Sequence, residues 1–102
     1  MARNEALFRE VNERIEDVQS GFDARGRTDF LCECGSDDCT QPISLTLAEY
    51  EHIRQDPKRF VVVPGHDVAD VERVVEQTDR YAVVEKIPGA PAKIALERDP
   101  RK

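Results

Sequence analysis

Long apolar runs are missing from this chain. The most apolar stretch, RFVVVPGH at residues 59–66, is far short of the ~20 residues that span a bilayer, so no membrane segment is expected. The N-terminal MARNEALFREV has no apolar h-region of a signal peptide, which makes a reducing cytoplasm the expected compartment. Basic residues are also in deficit, 15 Lys and Arg against 21 Asp and Glu, for a formal net charge of −6. The two signs are interleaved almost everywhere. A nucleic acid or an anionic membrane wants a positive face, so neither is an expected partner. There is no G-x-G-x-x-G, no phosphate-binding loop and no repeat at a fixed period. A Ser/His/Asp grouping and paired carboxylates in a recognisable frame are absent too, so an enzyme is not the first expectation.

Cysteine is scarce but not scattered. The chain has three, Cys32, Cys34 and Cys39, all within eight consecutive positions. In a reducing compartment clustered thiols point to metal or redox chemistry rather than to structural disulfides, and an odd number would leave one unpaired.

The 102 residues suit one domain. With 39% hydrophobic and 35% charged residues the core must be economical, and an added staple would help. Residues 4–20 read as an amphipathic helix. Leu7, Val11, Ile15, Val18 and Phe22 form one apolar stripe, Asn4 is the expected N-cap, and Gly21 the expected stop. The stripe is expected to pack on the domain's own sheet; a docking helix is the alternative. FDARGRTD reads as a loop. Phe30 and Leu31 begin a short strand, GSDD is a turn, and 43–46 is a second strand. Thr46 and Glu49 form a capping box that starts a short helix, LAEYEHIRQD, ending before Pro57. Phe60 to Val63 is a buried strand. Residues 71–76 and 81–87 form a hairpin about QTDR, although Val68, Val71 and Val75 also fit a helical face. The tail after Pro88, residues 88–102, reads as loose. The expected fold is α+β: a single domain over residues 1–87, with an N-terminal helix, a small antiparallel sheet and a C-terminal hairpin.

C-x-C spacing on a strand puts Cys32 and Cys34 on one face, because the side-chain period is two. Gly35 can turn the chain so that Cys39 returns to the pair. Zinc bound by thiolates is almost always tetrahedral, so a fourth ligand is required. His52 sits mid-helix and leans away from that helix's apolar side. His66 follows VVVPG, on a Pro-Gly turn that can aim it at a neighbouring loop. The expected site is therefore Cys32, Cys34, Cys39 and His66 around Zn2+, with Asp37, Asp38 or Asp67 as the alternative fourth ligand. Glu33 points to the opposite strand face, away from the place a general base would need.

NEALFREVNERI, FLCECG with its later cysteine, LTLAEYEHIR and RFVVVPGH, in that order, resemble a group of small uncharacterised proteins from actinobacteria and related soil bacteria. The resemblance runs from about Asn4 to Lys86 and implies a bacterial cytosolic origin, without an activity. The leading functional expectation is a zinc-stabilised interaction or regulatory module whose partner is another protein. A thiol redox sensor is the alternative, and a zinc-dependent enzyme such as a hydrolase is third.

Overall fold

The computed structural model describes residues 2–20, 26–34, 39 and 41–100. Among the described residues, three helices and two small antiparallel sheets make an α+β fold. The order is α1 (Ala2–Ser20), β1 (Thr28–Leu31), β2 (Pro42–Leu45), α2 (Leu47–Arg54), β3 (Arg59–Val62), β4 (Glu72–Gln77), β5 (Ala82–Lys86) and α3 (Ala90–Glu97). β1 and β2 form a two-stranded sheet; the other has the order β3-β5-β4. The expected hairpin is present, with a bulge between Val74 and Glu76. Its helical rival survives only as a single turn, in which Val71 N and Glu72 N donate to Val68 O. The expected turn over residues 35–38, the stop at Gly21, the stripe residue Phe22 and the first four residues of the expected FDARGRTD loop lie outside the described residues. No helix among the described residues is long and apolar enough to cross a membrane.

Local signals set α2. Thr46 Oγ1 accepts from Glu49 N, and Glu49 Oε1 accepts from Thr46 N, so two orphan amides at the helix start are satisfied together. Tyr50 then stacks on Phe30 of β1, ring centroids 4.5 Å apart, and ties the helix to the smaller sheet. Phe60, Val61 and Val62 of β3 and Val83 and Val84 of β5 fill the centre.

Two expectations need correction. The apolar stripe of α1 does not face the sheet: Leu7 is 55% and Val18 58% exposed, while Glu5, Arg9 and Asn12 are buried. Among the described residues of that stripe, Ile15 alone packs against the core. The helix also starts at Ala2, ahead of the expected Asn4 cap. It docks through polar groups because the surface it covers presents unpaired backbone. Cys32 N donates to Gln41 O on the β2 side. By antiparallel alternation the polar groups of Leu31 face the other way, along the free edge of β1. Asn12 fills that edge as a strand would. Its Nδ2 donates to Leu31 O at 2.9 Å and its Oδ1 accepts from Leu31 N at 2.8 Å. Arg9 Nη2 donates to Pro57 O and Arg59 O, with its guanidinium 4.0 Å over the Phe60 ring.

The second correction is the segment after Pro88, which is a helix rather than a loose tail. Gly89 precedes it with φ 102°, Pro91 lies in the first turn, and Ala92 and Ala95 are buried. Pro is pre-organised for a first turn and Ala is the best helix former, so the composition that suggested disorder suits a short capped helix. Arg54 of α2 pins its end, with Nη2 2.5 Å from Asp99 Oδ1 and Nε 2.8 Å from Glu13 Oε1 on α1.

A pair of substitutions tests which face of α1 holds the fold. Asn12→Ala strands Leu31 N–H and C=O at about 1–3 kcal/mol each, so it should cost about 2–6 kcal/mol in urea denaturation. Leu7→Asp, at an exposed position, should stay within about 0.5 kcal/mol of wild type. The reverse ranking would mean that the stripe, not the amide, docks the helix.

Candidate metal centre

The chain that leaves β1 runs along the free edge of β3. Glu33 N donates to Val61 O at 2.8 Å, and Val61 N donates back to Glu33 Oε1 at 3.1 Å. Two residues on, just past the end of β3, Val63 N donates to Cys32 Sγ at 3.1 Å. These bonds carry Cys32 and Cys34 to the end of β3, where the Pro-Gly turn begins. In that turn His66 N donates to Val63 O at 2.9 Å, and Gly65 has φ 93°. Pro64 followed by a glycine at positive φ is the requirement of a type II turn. The turn reverses the chain and brings His66 over the thiols.

Cys32, Cys34, Cys39 and His66 form one cluster, each offering a ligand atom that lies within 4.8 Å of the others. His66 Nδ1 is 3.7 Å from Cys32 Sγ and 3.6 Å from Cys39 Sγ. Zinc–sulfur bonds of about 2.3 Å and zinc–nitrogen bonds of about 2.05 Å, at a tetrahedral angle, place S and N about 3.6 Å apart. The ring nitrogen thus stands where a shared tetrahedral ion would hold it. The donor set, three soft sulfurs and one imidazole, suits zinc. The cluster can hold a metal ion.

The three cysteines form no disulfide among the described residues and are buried, and His66 is half-buried. Burial pushes the Cys32 thiol up, with the neighbouring Cys34 adding to the shift, while the Val63 N–H opposes it. A bound metal would supply the positive charge that offsets this burial and favours thiolate ligation. The other sequence candidates fall elsewhere. Asp67 lies outside the cluster, and Asp37 and Asp38 are outside the described residues. His52 is 64% exposed, its Nε2 3.8 Å from Glu76.

Glu33 does face away from the thiols, and that is its use. It is fully buried, accepting from Asn12 Nδ2 at 2.8 Å as well as from Val61 N. It locks the segment just past β1, between two ligands, to both α1 and β3. Sequence reading finds no role for Glu33 or Asn12, because each looks like an ordinary solvated residue. The only signal is position: Glu33 sits between two cysteines whose faces are fixed by the strand period.

The chain matches no family model, no curated protein and no solved structure.

Proposed function

We propose that this is a small cytoplasmic zinc protein in which the metal is structural, and which acts as an interaction or regulatory module for another protein. The observation that carries the reading is the convergence of three thiols and one imidazole nitrogen to within 4.8 Å. Four protein ligands fill a tetrahedral shell and leave no open position for a substrate or an activated water, which is how structural zinc differs from catalytic zinc. The ion would tie the loop after β1 to the turn after β3, the staple that a small core lacks. The exposed Leu7 and Val18 on α1 supply an apolar surface for a partner. Redox sensing is disfavoured by access: the three sulfur-bearing residues are at most 7% exposed, and sensor thiols are solvent-accessible.

Elemental analysis of the protein as purified tests the site. One zinc per chain is expected, as for any single four-ligand site. Protein made with zinc present that carries no transition metal would remove the proposal. Iron in place of zinc would keep the site and change its chemistry.

A further inference from the structure

The metal cluster is tied to α1 by more than its own ligands require. Cys32 and Cys34 flank Glu33, so two ligand bonds would fix the backbone of Glu33 from both sides. The Glu33 side chain faces the other way, where its Oε2 accepts from Asn12 Nδ2 at 2.8 Å. The same amide closes on Leu31, accepting from its N–H at 2.8 Å and donating to its C=O at 2.9 Å. Both amide hydrogens and the amide oxygen of Asn12 are thereby engaged, and the residue is fully buried. One side chain of α1 thus grips the residue before the first ligand and the residue between the first two. It does so from 19 and 21 positions away in sequence.

Other anchors of α1 lie away from the thiols. Glu5 pairs with Lys86 of β5, and Glu13 with Arg54 of α2. Arg9 donates to Pro57 O and Arg59 O, and attracts Glu33 by charge. Among these anchors Asn12 alone hydrogen-bonds the segment that carries two ligands. A group that orients a ligand typically sets metal affinity by 10–100-fold. Such an influence is reciprocal: what strengthens metal binding is strengthened by the metal.

We propose, resting on the reading of the cluster as a zinc site, that Asn12 is a positioning residue of the metal centre and that metal occupancy sets how firmly α1 is docked. With metal bound, residues 31–34 keep the shape that fits the Asn12 amide. Without it, Cys32 and Cys34 lose their common anchor, and α1 loses the attachment at its middle. The helix then opens ahead of the β3-β5-β4 sheet, whose strands carry none of the four ligands.

Metal competition and hydrogen exchange on the full chain test the two directions. Against a chromophoric chelator, Asn12→Ala should hold zinc at least tenfold more weakly than wild type. Glu5→Ala loosens α1 elsewhere and leaves Lys86 paired with Glu72, so it should hold zinc within twofold of wild type. Cobalt in place of zinc should give an altered ligand-field band in Asn12→Ala and an unaltered one in Glu5→Ala, because the angles at the ion follow residues 31–34. In wild type, removing the metal should speed amide exchange over residues 9–15 at least tenfold more than over β5. That arm needs no variant, so it decides the matter even where Asn12→Ala does not fold. A folded Asn12→Ala protein with wild-type affinity or an unaltered cobalt band would overturn the positioning role, as would an equal loss in Glu5→Ala. Equal acceleration of α1 and β5 would overturn the coupling to the helix. Failure of the zinc reading looks different: wild type itself then takes up no metal, and the inference falls with it.

Discussion

Replacing His66 by alanine should lower metal affinity and thermal stability together, whereas His52→Ala should lower neither. The first variant leaves three sulfurs and opens one corner of the tetrahedron. Loss of a supporting partner of a ligand typically costs 10–100-fold in affinity, so loss of the ligand itself should cost at least about a hundredfold. When metal is in excess over its dissociation constant, a hundredfold weaker affinity removes about 2.7 kcal/mol of stability. For a domain of this size that is a fall in melting temperature of about 10–20 °C. The loss should depend on zinc: added metal restores part of it in His66→Ala, and a chelator brings wild type down towards the variant. His52 is exposed on α2, with its Nε2 3.8 Å from a Glu76 carboxylate oxygen. Its removal should change melting by less than about 0.5 kcal/mol. Melting curves of both variants with zinc and with chelator decide the matter. If His52→Ala loses the metal and His66→Ala keeps it, the helix rather than the Pro-Gly turn closes the site.

What could be read from the sequence was written locally. Thr46 and Glu49 satisfy each other across three residues, and that spacing is visible in the chain. Pro64 and Gly65 specify their turn within four residues, and so place His66. The C-x-C pair was read on the strand period, but β1 ends at Leu31; both thiols still converge from the segment just beyond it. The rest depends on partners far apart. Asn12 meets Leu31 and Glu33, 19 and 21 positions away, and Lys86 meets Glu5 across 81. Amides and charges read as solvated unless their partners are known, so the polar face of α1 was assigned to water and its apolar stripe to the core. The assignment reversed because a free strand edge demands hydrogen bonds more strongly than Leu7 and Val18 demand burial. Burial of a lone Leu is worth about 1.5–3 kcal/mol, but a buried edge with Asn12 removed would strand two backbone groups at about 1–3 kcal/mol each. α3 was missed for a different reason: Pro and Gly mark loops in general, but at the head of a helix they mark its start.

Lys86→Met should be among the most damaging single changes in the protein, and its damage should grow with pH. Methionine keeps most of the volume and the contact with Phe60, over whose ring Lys86 Nζ sits at 5.1 Å. What it removes is the cation between two buried carboxylates. Glu72 Oε1 is 2.5 Å from Nζ, Glu5 binds it from α1, and all three side chains are at most 6% exposed. Breaking a buried ionic group by deleting one partner typically costs about 3–5 kcal/mol, because the remaining charge stays uncompensated. Burial already holds the Glu5 carboxyl above its ordinary range, with Glu72 adding to the shift and Lys86 opposing it. Once Lys86 is gone the opposing influence disappears, and Glu72 is left to raise the Glu5 carboxyl further. A carboxyl whose folded pKa lies above its unfolded value favours folding at low pH, and that advantage is lost as pH rises through the folded pKa. The gap between Lys86→Met and wild type should therefore be smallest near pH 5 and widest near pH 8 in urea denaturation. Adding Glu5→Gln to Lys86→Met should recover part of the loss at pH 8 and flatten the trend. A Lys86→Met protein within about 1 kcal/mol of wild type, with no dependence on pH, would mean that the three groups are hydrated and that α1 is not clamped to β4 and β5 by charge.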